Sequence, residues 1–88
     1  MDVGQIVFSK NGRDKGRAFV VTAVEEEYVF LADGKLRPLN KPKRKKTRHT
    51  QPTSTIVDLA AATGGLTDAD IRKWLAAFLS LCKKEEDK

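Results

Sequence analysis

The chain is short of the residue types that do chemistry. It has one cysteine, Cys82, and one histidine, His49, among 88 residues. An internal disulfide is therefore impossible, and a Cys/His metal set lacks its ligands. His49 has no neighbouring nucleophile with which to act as a general base. The segment "GRDKG" is not a phosphate-binding Walker loop, because the Lys-Ser/Thr pair that should follow its second glycine is missing. Thr53, Ser54 and Thr55 read as helix caps rather than nucleophiles. No cofactor, metal or reaction is expected. No apolar run approaches the ~20 residues of a membrane span, and "MDVGQ" lacks the basic-then-apolar order of a secretory signal. These absences predict a soluble, cytoplasmic protein without a membrane partner.

Charge of one sign is not scarce. Lys and Arg outnumber Asp and Glu by 17 to 12. Residues 1–55 hold twelve cations and six anions, whereas residues 56–88 hold five and six. The whole positive balance lies in the front of the chain, the electrostatic footprint of a polyanion partner such as nucleic acid. So short a chain has room for one small domain and an appendage, and a deep substrate cavity is not expected.

Three short apolar segments, Ile6 to Phe8, Ala18 to Val24 and Tyr28 to Ala32, recur about every ten residues, the strand-and-turn rhythm of a small antiparallel barrel. Glu25 to Glu27 makes a turn between the second and third, and Asp33-Gly34 a turn after the third. A fourth strand is expected near Lys35 to Leu39. Asn40 to Lys46 reads as an exposed basic loop, and Arg48 to Gln51 as a last short edge strand. Beyond this the period changes. "STIVDLAAATGG" predicts a short helix over 55–62 stopped by Gly64-Gly65, and "LTDADIRKWLAAFLSLCKKEEDK" a second over 68–84. The second has Thr67 as N-cap, Asp70 three residues on, and Leu66 with Ile71 as a hydrophobic staple. Ile71, Trp74, Leu75, Phe78, Leu79 and Cys82 form one apolar stripe. The expected organisation is a barrel over 1–53 and a helical appendage over 54–88.

The first turn carries more than a turn needs. In "VGQIVFSKNGRDKGRAFVV", glycines 12 and 16 and four cations sit between two strands, an arrangement that resembles the KOW motif of RNA-binding ribosomal and transcription-elongation proteins. With "YVFLADGKLRPL", the basic loop and "TRHTQPT", residues 3–53 resemble the fourteen-e type of large-subunit ribosomal protein and its small bacterial relatives. The tail from Ser54 looks more like the bacterial ones. The resemblance implies an SH3-like barrel that binds ribosomal RNA. It places phosphate-facing cations at Lys10, Arg13, Lys15 and Arg17, and loop glycines at Gly12 and Gly16.

Residue chemistry points the same way. Glycine lets a backbone amide approach a phosphate, and arginine's planar fork suits phosphate oxygens. Asp14, alone among the loop cations, is expected to cap the turn or orient Arg13 or Arg17. Lys35, Arg37, Lys41, Lys43, Arg44, Lys45, Lys46 and Arg48 form a second patch, to which His49 adds a polar strand residue or an RNA contact. Exposed aromatics are few, with Tyr28 the best candidate for base stacking. Recognition of folded RNA by shape and backbone is therefore favoured over the reading of a base sequence. A monomer bound to structured RNA, with a ribosome or other RNA-protein particle as its setting, is the expectation. Two rivals are a protein-interaction adaptor using the Ile71 to Cys82 stripe and a transcription-elongation accessory.

Overall fold

In the computed structural model, which describes residues 1–10, 12–62 and 64–86 but not the side chains of 83–86, five strands precede one long helix. The strands are β1 (Gln5–Ser9), β2 (Ala18–Val24), β3 (Tyr28–Ala32), β4 (Lys43–Lys46) and β5 (Thr50–Ile56), and the helix is α1 (Asp68–Glu86). All pairings are antiparallel, in the order β4-β3-β2-β1-β5. Registers such as Val7 opposite Phe19 and Val21 opposite Leu31 align the apolar residues of neighbouring strands on common faces. Register shifts between Val21 and Ala23 and between Gln5 and Val7 mark irregularities that bend strands and increase their twist.

The run "AFVV" is apolar on both sides because both sides are covered, whereas Ala23 and Val24 at the end of β2 are exposed. Val7, Phe19, Val21, Val29 and Leu31 make one cluster. Ile6 and Val20, pointing the other way, pack with Ile71, Leu75 and Phe78 of α1 in a second. Trp74 and Cys82 are partly buried against that second cluster, and the Phe8 and Phe78 rings lie 5.8 Å apart, tying α1 to β1. The start of α1 follows from its capping box: Thr67 N donates to Asp70 Oδ2 at 3.0 Å, and Asp70 N donates to Thr67 Oγ1 at 3.3 Å.

Among the described residues one α-helix forms, not two. Ser54 to Ile56 continue β5, held by Thr53 Oγ1 donating to Ile6 O at 2.7 Å and, just past the strand, Val57 N donating to Gly4 O at 2.9 Å. What remains of the expected first helix is a single 3-10 turn, Leu59–Ala61, capped by Asp58. Ser, Thr and Ile suit a pleated surface, and a helix this short cannot repay its nucleation. Thr53 to Thr55 are thus strand residues and not helix caps. Pro52 is accommodated within β5 because that strand lies at the sheet edge.

Two further expectations shift. Lys35 to Leu39 is a tight loop, not a strand: Asp33 Oδ1 accepts from both Lys35 N and Arg37 N at 2.9 Å. The fourth strand is instead Lys43–Lys46, within the stretch expected to be an exposed loop. A strand of four cations suits an edge, where charge discourages pairing with another chain. Thr47–His49 is a 3-10 turn, so the last strand starts at Thr50 rather than Arg48.

Candidate nucleic-acid interface

The loop between β1 and β2 is closed by its own backbone: Gly16 N donates to Ser9 O at 2.9 Å, Ser9 N to Arg17 O at 3.0 Å, and Arg17 N to Asp14 O at 2.9 Å. Gly12 and Gly16 have φ of 79° and 83°, the left-handed region that favours glycine. Lys10, Arg13, Lys15 and Arg17 stand exposed on this frame.

Asp14 behaves differently from the sequence expectation. Its backbone carbonyl closes the turn, but its side chain, only 6% exposed, points to the second patch and not to Arg13 or Arg17. Lys43 Nζ donates to Asp14 Oδ2 at 2.9 Å, and Arg37 reaches the same oxygen at 3.6 Å. The Lys43 hydrogen bond, and to a smaller extent the charges of Lys43, Arg37 and Lys45, outweigh the cost of burial and hold the Asp14 carboxyl below its ordinary pKa. One buried anion thereby binds the β1–β2 loop to β4 and to the loop before it.

Alternation along β4 sorts its cations. Lys43 and Lys45 face the β1–β2 loop, with Lys45 Nζ beside Gly12. Lys45 is largely buried, and desolvation first, then the charge of Lys43, lowers its pKa. Arg44 turns away, lying 3.6 Å over the Tyr28 ring and 4.0 Å from Glu25. Tyr28, the best stacking candidate by sequence, thus already carries a guanidinium on its face. Lys46 and Arg48 border the Glu26–Glu27 turn, where Thr47 N donates to Glu27 O at 2.8 Å.

His49 is joined to the loop through its carbonyl, which accepts from Lys10 N at 2.8 Å. Partial burial, then the charges of Arg48, Lys45, Lys46 and Lys10, lower its pKa. On the opposite flank, Arg17 lies 3.4 Å from Asp33, and Lys35 is exposed on the adjacent turn. Lys41 is exposed where its N–H donates to Pro38 O at 2.9 Å.

Sequence reasoning missed Arg72. From the first turns of α1 it donates to Gly34 O at 2.6 Å, while Asp68 Oδ1 accepts from Leu39 N at 2.7 Å. Their spacing of four marks one helix face, but nothing local identifies what that face meets. Among the described residues, no group of three His, Cys, Asp or Glu is placed to hold a metal ion, and no helix is long and apolar enough to cross a membrane.

No family model matches the chain. Individual proteins do. Large ribosomal subunit protein eL14 of Pyrobaculum arsenaticum is 32% identical over 78 residues, covering 88% of this chain and 73% of the relative. The eL14 proteins of Pyrobaculum aerophilum and Pyrobaculum calidifontis are also 32% identical, with the same coverage of each chain. With such coverage at this identity, the chain belongs to the eL14 family of large ribosomal subunit proteins.

Proposed function

We propose that this protein binds structured ribosomal RNA without catalysis, as an SH3-like barrel whose KOW-type loop and β4 form one cationic face. The observation that carries the reading is the Asp14 link, which holds a loop bearing Lys10, Arg13 and Lys15 against a strand bearing Lys43 and Lys45. Cations fixed on a rigid frame bind phosphates without a large ordering cost. The ribosomal naming of the relatives supports RNA, and a ribosomal particle in the cytoplasm, as the setting. The strands through Ile56, not only residues 1–53, supply the binding face, and α1 covers one side of the sheet. The stripe that an adaptor would expose has Ile71, Leu75 and Phe78 buried against β1 and β2, which favours RNA over a protein partner.

Fluorescence anisotropy with a structured RNA and a duplex DNA of matched length, across a salt series, tests the reading. If about six phosphates are neutralised, the logarithm of affinity falls against log salt with a slope of about −4 to −5. Changing Lys10, Arg13 and Lys15 together to Ala should make the slope shallower by about 2 to 3. Equal, weak binding to both polymers, unchanged in the variant, overturns it.

A further inference from the structure

Beside the β1–β2 loop, a groove runs between the Asp33-Gly34 turn and α1. Its rim carries Arg17, Lys35 and Arg72, one cation from each of the three elements that border it, and its floor is apolar, formed by Leu75, Ala76 and Leu79. Leu79 breaks the pattern of its stripe. Ile71, Leu75 and Phe78 are buried, whereas Leu79 is 46% exposed and opens onto this groove. At Gly16, also on the lining, a methyl group would meet nothing within 4 Å.

The geometry points to this groove as the seat of a single unstacked nucleotide of the bound RNA, its base on Ala76 and Leu79 and its phosphate among Arg17, Lys35 and Arg72. An apolar floor bordered by three cations, with the Asp33 carboxylate on the same lining already engaged by Arg17 and by Lys35 N and Arg37 N, matches a ligand with a flat, weakly polar body and an anionic linkage, which describes a nucleotide extruded from a helix. Bases splayed from bulges and loops are the parts of folded RNA that proteins can enclose. The groove is built to keep this shape. Arg72 is anchored by its 2.6 Å hydrogen bond to Gly34 O, and Arg17 by Asp33 at 3.4 Å. Asp33 in turn fixes the turn through Lys35 N and Arg37 N. Arg guanidinium planes also stack on bases, so Arg17 and Arg72 can border a base as well as a phosphate.

The proposal rests on the RNA-binding reading and is tested so that the two can fail separately. Three RNA stems are compared with the full chain by anisotropy: one with a single bulged adenosine, one with an abasic nucleotide at the same bulge, and one fully paired. The abasic stem keeps the backbone, charge and bend and loses only the base. Tighter binding of the bulged adenosine, by about tenfold over the abasic stem, is expected from the apolar area its base would bury on Leu75, Ala76 and Leu79. Leu79→Ser, at an exposed position on the groove floor, should abolish that difference while leaving affinity for the paired stem unchanged, with folding checked by circular dichroism. Equal binding of the adenosine and abasic stems overturns the groove proposal and leaves RNA binding standing. Absence of binding to all three overturns both. If a glutamate-rich peptide shifts the amide resonances of Arg72 and Leu79 and the bulged RNA does not, the groove belongs to an acidic protein partner and the proposal falls.

Discussion

Asp14 and Lys43, 29 residues apart, meet at 2.9 Å, and through that contact a negative charge lies buried inside a positive face. Counting charge alone, removing the anion should strengthen binding to a polyanion. Organisation argues the opposite, because Asp14 also holds Arg37 and keeps the loop against β4. Asp14→Asn is expected to weaken RNA binding about three- to tenfold, the cost of ordering one freed long side chain on each encounter. Anisotropy at fixed salt measures it, and a gain in affinity would show that the face needs no internal anchor.

The same residue sets an acid limit on stability. Asp14 has a folded pKa below the ordinary carboxylate value of 3.8, lowered first by the Lys43 hydrogen bond. Its contribution is therefore fully present above pH ~4 and is lost as pH falls through the folded value. Urea unfolding should show the intact chain losing stability across that window more steeply than Asp14→Asn. At neutral pH the variant should be less stable by about 1–3 kcal/mol, since Asn keeps a hydrogen-bond acceptor but leaves two cations uncompensated.

His49 predicts a pH dependence of the opposite sign for binding. Partial burial, with Arg48, Lys45, Lys46 and Lys10 nearby, holds its free pKa below 6.5. RNA phosphates arriving among these cations would raise that pKa, so binding takes up a proton and affinity rises as pH falls from about 7 toward 5.5. His49→Gln should flatten the profile. The same rise in the variant would assign the titration elsewhere.

Two glycines of similar φ should respond very differently. At Gly34, φ is 78°, and a methyl group would lie 2.5 Å from Asp68 O and 2.8 Å from Arg72 Cγ. At Gly16, φ is 83° and the space is open. Gly16→Ala carries only backbone strain, about 1 kcal/mol. Gly34→Ala adds displacement of α1 from the turn and should cost at least about 3 kcal/mol. Chemical denaturation of the pair separates conformational strain from close approach.

Local signals in the sequence were readable because their causes are local. The three apolar runs place β1 to β3 almost to the residue, and the Thr67–Asp70 spacing marks the start of α1. The loop glycines and their cations lie on the expected turn. What was hidden depends on distant partners. Lys43 to Lys46 looks like a solvated loop until Tyr28 to Leu31 offers it a ladder. Thr53 to Ile56 looks like a helix start until Ile6 and Gly4 claim it for the sheet. The partners of Asp14 and the target of Arg72 lie 23 to 38 residues away in sequence, and no periodicity encodes such a separation.

The helix stripe yields a final test, because two adjacent residues on it face different surroundings. Phe78 is 9% exposed and meets Phe8 at 5.8 Å across the junction of α1 with β1. Leu79 is 46% exposed. Truncation of a buried aromatic side chain removes its transfer energy and leaves a cavity, so Phe78→Ala should cost about 3–5 kcal/mol and lower the unfolding midpoint sharply. Leu79→Ala loses little packing and should cost under about 1 kcal/mol. Size-exclusion chromatography with light scattering should find both variants and the intact chain monomeric while folded. A dimer dissolved by Leu79→Ala would instead make the open end of the stripe a contact between copies, and the nucleotide groove would then lie inside that interface.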